Sequence, residues 1–159
     1  RVINVVGSKF KIKFNANKGK VSKKSKVVWG GKKYGKLPTP KRKRYKFKGW
    51  YTKKSGGKKV TSNTYIKLNK KHTLYAHWFG PKGKGKTITK AEYKRIKNGM
   101  TYSQVKFLIG GKGKLEVSSS YGGYTTKIYS WKGRGSIGAN ANVTFQNGEV
   151  VGKAQAGLR

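Results

Sequence analysis

The stretch GPKGKGKT, residues 80–87, matches the phosphate-loop pattern G-x-x-x-x-G-K-[ST] and could in principle bind a nucleotide. A phosphate loop runs directly into its helix, so that its Lys and Thr lie in the first helical turn. Here Thr89 and Glu92 form a Thr-x-x-Glu capping box, which predicts a helix start at about Lys90, several residues too late. Hydrolysis also needs a second carboxylate, normally Asp, to hold magnesium, and the chain has no Asp. We therefore interpret residues 80–86 as a Gly/Lys linker.

Side chains that carry out acid–base or metal chemistry are scarce elsewhere. The acidic residues are Glu92, Glu116 and Glu149, which the patterns place on a helix cap and two strands without convergence. His72 and His77 are five residues apart on one predicted strand, so they project to opposite faces of its sheet and do not suggest a metal site. Cys is absent, which excludes disulfides and thiolate ligands. We predict a non-enzymatic protein with no cofactor.

Positive charge is the dominant feature of the composition. Forty Lys and Arg stand against three acidic residues, for a formal net charge of +37 over 159 residues. Residues 1–86 hold 28 of the basic residues and no acidic one, whereas residues 87–159 hold 12 and all three Glu. Self-repulsion of this size opposes the compact state, so we expect the charge to serve a purpose other than stability. The shift in composition also predicts a domain boundary at the linker.

Alternating side chains predict strands in the first half of the chain. In KFKIKFN the apolar Phe10, Ile12 and Phe14 alternate with lysines, which places apolar groups on one face and ammonium groups on the other. RYKFKGW and TLYAHW repeat this period of two, and Gly- and Pro-rich turns separate the runs. We predict a small, mostly antiparallel β domain over residues 9–79, preceded by a linker of residues 1–8.

The second half predicts two helices followed by a sheet. Thr101 and Gln104 form a second capping box after the one at Thr89, and apolar residues recur at helical spacing behind both boxes. Strand patterns follow over residues 115–119, 124–131, 141–146 and 149–156. Asn147-Gly148 indicates a type I′ hairpin turn. The expected fold class is α+β, with two helices packed on an antiparallel sheet over residues 87–159.

The first half resembles the Listeria-Bacteroides repeat, also called the internalin B repeat, over about residues 9–79. Three motifs carry the resemblance: Leu37-Pro38-x-Pro40, Tyr45-x-Phe47-x-Gly49-Trp50-Tyr51 and Leu74-Tyr75-Ala76-His77-Trp78. The resemblance implies a β-grasp-like module on secreted or wall-attached bacterial proteins, acting as a stalk or adhesive unit rather than as a catalyst. This copy departs from the family pattern at Asn15, where Asp is usual, and at Arg44, where Gly usually precedes the Tyr.

Residues 87–159 resemble the small secreted domains related to SmpA/OmlA lipoproteins and to the β-lactamase inhibitor protein. The stretches that carry this resemblance are ITKAEYKRIKNGMTYSQVKFLIGGKGK and YSWKGRGSIGANANVTFQNGEVVGKAQAGL. The resemblance implies a domain that binds another protein. Inhibitor members rely in part on an acidic residue, which this Asp-free domain does not supply in a recognisable position, so we do not predict inhibition.

The type of basic residue indicates the type of anion. The chain has 34 Lys and only 6 Arg, and Lys acts as a mobile point charge, whereas base-specific reading of DNA uses Arg, Asn and Gln on a groove-entering element. We therefore expect contacts to phosphate or sulfate groups, with lysines on one strand face about 6.6 Å apart along the polymer. The predicted contact residues are Lys9, Lys11, Lys13, Lys23, Lys24, Lys26, Lys41, Arg42, Lys43, Arg44, Lys46 and Lys48.

Aromatic residues raise the question of a stacking surface for nucleic acid. The chain has 4 Trp, 10 Tyr and 6 Phe, and most of them occupy core-facing strand positions. We interpret these as core residues and name Trp29, Tyr34, Trp50 and Tyr51 as the candidates for exposure.

These observations predict an extracellular or cell-wall-associated protein of a Gram-positive bacterium that binds polyanions in adhesion or in a matrix. Teichoic acid, extracellular DNA and glycosaminoglycans are the candidate ligands, and the second domain would bind a partner or act as a spacer. The alternatives are a stalk or filament subunit whose charge gives solubility or acid tolerance, and an engineered supercharged variant. Because the chain begins with Arg1 and shows no secretion signal, we expect it to be a trimmed piece of a longer protein.

Overall fold

The computed structural model describes residues 7–68 and 70–159 and divides the chain into two compact units, Arg1–Phe79 and Gly80–Arg159. Residues 1–6, which belong to the predicted leading linker, lie outside the described residues. Each unit encloses a hydrophobic cluster of its own.

The first unit is built on a five-stranded sheet. Its strands are β1 (Lys9–Asn15), β2 (Ser25–Trp29), β3 (Lys46–Tyr51), β4 (Lys59–Val60) and β5 (His72–Phe79). The strand order is β2-β1-β5-β3-β4, and only the β1–β5 pair is parallel within this sheet. The described part of this unit contains no α-helix, and loops cover the inner face. The mostly antiparallel β character is confirmed, whereas the β-grasp-like arrangement stays a prediction.

Alternation along β1 separates the core from the surface, as the sequence predicts. Phe10, Ile12 and Phe14 are buried, and the lysines between them are exposed. The loops add Tyr34 and Ile66 to this core. Burying each such side chain contributes about 1.5–3 kcal/mol, so a short sheet with loops over one face can form a stable unit.

The Trp residues of the repeat motifs attach loops to this sheet. The indole N–H of the buried Trp50 donates to the carbonyl oxygen of Pro38 at 2.8 Å. The indole N–H of Trp78 donates to the carbonyl oxygens of Ala16 and Asn17, each at 3.0 Å. A buried indole N–H needs such a partner, so the motif residues hold the loops in place.

The second unit begins with two short helices, α1 (Lys90–Arg95) and α2 (Tyr102–Ile109). The Thr89 side chain accepts a hydrogen bond from the backbone N–H of Glu92, whose carboxylate accepts one from the Thr89 backbone. Thr101 and Gln104 repeat this reciprocal pair at the start of α2. Both predicted capping boxes are confirmed.

Four antiparallel strands complete the second unit: β6 (Lys114–Tyr121), β7 (Tyr124–Lys132), β8 (Gly135–Gln146) and β9 (Glu149–Leu158). They follow one another in the order β6-β7-β8-β9. Asn147 and Gly148 have φ values of 50° and 86°, as a type I′ turn requires. β8 starts six residues before the predicted strand because an irregular register between Gly135 and Asn140 hides the alternation. The helices pack on one face of this sheet through residues such as Ile96 and Val105.

Candidate functional site

A column of lysines occupies the outer face of β1, the face opposite the core. Lys9, Lys11 and Lys13 are exposed there, two residues apart, which corresponds to about 6.6 Å between neighbours. On the adjacent strand β2 they lie directly opposite Trp29, Val27 and Ser25, respectively. No lysine of the column therefore faces another cation on β2, and the direct cross-strand repulsion that like charges produce is avoided.

Neutral and aromatic side chains, together with Lys59 on β4, complete this outer sheet face. Asn15, Tyr75, Tyr51 and Lys59 form a row across β1, β5, β3 and β4. The ring of His77 stacks on Tyr51, with centroids 3.8 Å apart and planes 7° apart. We define the outer sheet face by the residues named here and above: Lys9, Lys11, Lys13, Asn15, Ser25, Val27, Trp29, Tyr51, Lys59, Thr73, Tyr75 and His77.

A groove of about 690 Å³ opens at one end of the lysine column. Lys13 and Lys24, both predicted contact residues, line it together with Lys20, and Thr73 and Tyr75 of the outer sheet face also border it. The groove thus joins the lysine column to the exposed loop that follows β1. Lys20 was missed by the sequence analysis because it lies in a turn-rich loop without periodicity.

Lys20 also connects the groove to the densest basic stretch. Its backbone N–H donates to the carbonyl oxygen of Lys41 at 2.7 Å, and the Lys41 N–H donates back at 2.8 Å. Lys41 begins the KRKRYKFK run, so this pair of hydrogen bonds brings two of the predicted groups together. The predicted site is therefore continuous in space from β1 through the groove to Lys41.

The rest of the 41–48 stretch consists of a turn and the start of β3. Lys43, Lys46 and Lys48 are exposed. The guanidinium carbon of Arg42 lies 3.6 Å from the centroid of the Tyr45 ring, a cation–π contact. Lys23 is also exposed, next to Lys24.

Arg44 adopts a left-handed backbone conformation in this turn, with φ of 66°. A side chain with a Cβ is disfavoured there by about 1–2 kcal/mol, whereas Gly is not. This conformation gives a physical reason for the Gly that usually precedes the Tyr in the repeat family. The substitution by Arg adds a cation to the turn at a cost in backbone energy.

Lys26 lies apart from the other predicted contact residues. It pairs with Ile12 of β1 and therefore points to the inner side of the sheet, not to the lysine column. Its ammonium group donates to the carbonyl oxygens of Tyr34 at 2.7 Å and Lys36 at 3.2 Å. These bonds hold the loop after β2, so the geometry gives Lys26 a structural role.

The four candidate exposed aromatic residues divide into two pairs. Trp29 is 50% exposed and Tyr51 is partly exposed, and both lie on the outer sheet face. Tyr34 and Trp50 are only 6% and 2% exposed, so expecting them at the surface was wrong. Both are buried by contacts between segments distant in sequence, which a local pattern does not reveal. Burial raises the pKa of Tyr34.

The two histidines occupy different environments, as the spacing predicted. His72 Nε2 lies 2.7 Å from the Tyr34 hydroxyl, and its Nδ1 lies 2.9 Å from the carbonyl oxygen of Lys70. His77 lies on the outer sheet face. Residues 7–68 and 70–159 contain no cluster of three or more His, Cys, Asp or Glu that could hold a metal ion.

The GPKGKGKT stretch lies before α1 rather than at its start. Helix α1 begins at Lys90, three residues after Thr87, as the capping box predicted. The backbone N–H of Gly83 donates to the carbonyl oxygen of Phe107 at 3.1 Å, so the segment is attached to the second unit. Its Lys86 does not sit in the first turn of a helix, which a phosphate loop requires.

The second unit carries a cleft of about 660 Å³ with a mixed lining. Lys112, Lys114 and Lys132 line it together with Glu116. The Glu116 carboxylate accepts hydrogen bonds from Ser130 Oγ at 2.6 Å and from Lys114 Nζ at 2.9 Å. These bonds hold the pKa of Glu116 below its usual range. An acidic group in the lining makes this cleft less suited to an anion than the outer sheet face, whose residues include no carboxylate.

Comparison with known families divides the chain between residues 77 and 89, a range that includes the boundary between the two units. Residues 10–77 match the model of the Listeria-Bacteroides repeat domain, and residues 89–159 match that of the beta-lactamase inhibitor (BLIP) family. The resemblances to the repeat and to the β-lactamase inhibitor protein are confirmed, and both families are non-catalytic. No curated protein matches the chain. Among the described residues, no helix is long and apolar enough to cross a membrane.

Proposed function

We propose that this protein binds polyanions at a bacterial surface through its first unit. The observation that carries the proposal is the outer sheet face, where Lys9, Lys11 and Lys13 form a regular column that continues through the groove to Lys41. Residues 1–86 supply no carboxylate to neutralise this column. An external polymer with regularly spaced phosphate or sulfate groups complements such a surface in charge and in spacing.

The ligands we propose are teichoic acid, extracellular DNA and glycosaminoglycans, in adhesion or matrix formation. Mobile lysine ammonium groups suit backbone phosphates and sulfates, and residues 7–68 and 70–79 form no α-helix that could read base edges. The likeness to a repeat found in surface proteins supports an extracellular or cell-wall location, and we place the protein in a Gram-positive bacterium.

A salt titration of the full chain tests the proposal. Affinity for duplex DNA and for lipoteichoic acid is measured from low to high salt, and the logarithm of the binding constant should fall linearly with the logarithm of salt concentration. For duplex DNA the slope is about 0.9 per phosphate neutralised. Absence of binding at low salt, or a flat salt response, refutes the proposal. Light scattering in the same series tests the alternative, since a stalk or filament subunit self-associates without a polyanion.

The second unit offers a different kind of surface, which we propose contacts a protein. The sheet face turned away from its helices presents Asn140, Asn142, Thr144 and Gln146 on β8, all neutral in a chain dominated by cations. These neutral, hydrogen-bonding side chains, flanked on the same face by Lys132 opposite Asn140 and Glu149 opposite Gln146, suit a folded protein better than a polyanion. β-lactamase, which the name of the family suggests, is the first partner to assay. Binding to β-lactamase that is lost in the Thr144→Arg variant supports this role. If the unsubstituted chain does not bind β-lactamase, the second unit does not recognise that enzyme, and the spacer role stays as the alternative.

A further inference from the structure

The outer sheet face combines its lysines with exposed aromatic rings. Trp29 is half exposed on the edge strand β2, directly opposite Lys9, whose Nζ lies 5.7 Å from the ring centroid. An exposed indole on a water-facing sheet surface leaves apolar area uncovered, whereas the other Trp residues of this unit bury theirs in the core or against it. This ring is available to an external planar group.

A second aromatic group lies towards the other end of the face. Tyr75 is directly opposite Tyr51, and the ring of Tyr51 is stacked on His77. His77 Nε2 lies 2.9 Å from the carbonyl oxygen of Lys53, which holds that ring in place. All three side chains are partly exposed. The result is a small, preorganised aromatic surface beside the groove that Lys13 lines.

The lysine column spans the distance between these two aromatic groups. Trp29 is level with Lys9 and Tyr75 is level with Asn15, so the groups are separated by about 20 Å along β1. Three lysines occupy this interval at about 6.6 Å spacing, which allows one phosphate per lysine along an extended chain. Rings at both ends and cations between them match a polymer that carries planar groups on an anionic backbone.

We propose that the outer sheet face binds single-stranded nucleic acid, with bases stacked on Trp29 and on the Tyr75 and Tyr51 surface and phosphates on the lysine column. This inference rests on the proposed polyanion function and names the preferred ligand. Single strands expose the faces of their bases, whereas a duplex keeps its bases stacked on one another, and teichoic acids and glycosaminoglycans have no aromatic bases. Every base has a π face, so the binding is independent of sequence.

The test uses the full chain and three probes of equal length: a single-stranded thymidine oligonucleotide, the same backbone without bases, and a duplex. Affinities are measured by fluorescence anisotropy at one fixed salt concentration. We expect the thymidine strand to bind about a hundredfold more tightly than the abasic strand, since base stacking on each of the two aromatic groups contributes about tenfold. The duplex should bind with a lower affinity per phosphate than the thymidine strand.

Substitutions assign the stacking to Trp29. Trp29→Ala should weaken binding of the thymidine strand about tenfold and leave the abasic strand unchanged, and Trp29→Phe should restore most of the affinity. The matched control is Tyr65→Ala, because Tyr65 is 60% exposed and Lys33 Nζ lies 5.5 Å from its ring, yet it is outside the strands of the sheet. This control should leave all three affinities unchanged.

The outcomes separate this inference from the function on which it rests. Equal affinity for the thymidine and abasic strands, unaffected by Trp29→Ala, refutes base stacking while polyanion binding stands. A tighter complex with the duplex or with lipoteichoic acid at equal phosphate concentration refutes the preference for single strands. If none of the probes binds at low salt, both proposals fail together.

Discussion

Neutralising the lysine column should change the salt dependence of binding by a predictable amount. The variant is Lys9→Gln, Lys11→Gln and Lys13→Gln combined, which removes the charges but keeps polar side chains and the β1 alternation. The three lysines are exposed and lie opposite neutral residues of β2, so the substitutions remove only the contact of Lys9 with the Trp29 ring and should shift the unfolding free energy by no more than about 1 kcal/mol. Any loss of affinity therefore reports on ligand contacts rather than on folding.

The expected change in the salt dependence follows from one phosphate contact per lysine. Each phosphate neutralised on a single strand contributes about 0.7 to the log–log slope, so losing three contacts should reduce the slope by about 2. The assay is anisotropy of a labelled thymidine oligonucleotide at four or more salt concentrations. Because the effect is electrostatic, the natural chain and the variant should differ most at low salt and converge as salt rises.

The control separates local contacts from overall charge. Lys94→Gln, Lys106→Gln and Lys127→Gln combined removes three exposed lysines of the second unit and lowers the net charge from +37 to +34, as the first variant does. We expect its slope to change by less than about 1. Equal reductions in both variants would show that net charge alone drives binding, and the assignment of the outer sheet face would be wrong.

Three further measurements test other parts of the structure. Lys153 Nζ donates to the carbonyl oxygens of Tyr93 and Ile96 at 2.7 Å each, so Lys153→Met should destabilise the second unit by about 2 kcal/mol in chemical denaturation. Burial and the nearby Lys97 lower the pKa of Lys153. Between that pKa and 10.5 the unfolded chain binds more protons than the folded chain, so the free energy of unfolding should rise with pH. The Lys153→Met variant should lose this part of the pH dependence. Arg44→Gly should stabilise the first unit by about 1 kcal/mol because φ is 66° there, whereas Arg44→Gln, which removes the same charge but keeps the Cβ, should not; equal effects would assign the gain to the loss of charge. Added salt should raise the melting temperature of the ligand-free chain while weakening polyanion binding, because it screens self-repulsion and attraction alike; a melting temperature that falls with salt contradicts this.

Sequence patterns were sufficient to predict the features that depend on a single strand, helix or turn. The alternation in β1, the Thr89 and Thr101 capping boxes and the Asn147-Gly148 turn each depend on residues within a few positions of one another. Their energies are set by short-range geometry, so the pattern alone predicts them. The distinctive tryptophan motifs of the repeat likewise made the family resemblance readable in a single sequence.

The features that sequence patterns did not predict depend on contacts between segments that are distant along the chain. Tyr34 is buried because it meets His72, which is 38 residues away along the chain, and Trp50 because loop residue Pro38 accepts its N–H. Lys20 enters the site because its loop lines the groove beside Lys13 and pairs with Lys41. Lys26 lies outside the site because its ammonium group donates to loop carbonyl oxygens. Charge density alone could not distinguish these two lysines.

The placement of charge explains how the first unit tolerates a cationic surface without acidic partners. Along β1 and β2, each lysine of the column lies opposite a neutral side chain, so repulsion acts mainly along the strand at about 6.6 Å and through solvent. Lysine ammonium groups that form hydrogen bonds within the unit donate to carbonyl oxygens instead of carboxylates, as at Lys26. The sheet therefore avoids the closest like-charge contacts while its outer face keeps an uncompensated potential. The same arrangement places three cations at a fixed repeat along β1, which is the spacing that a polymer with regularly spaced anionic groups would match.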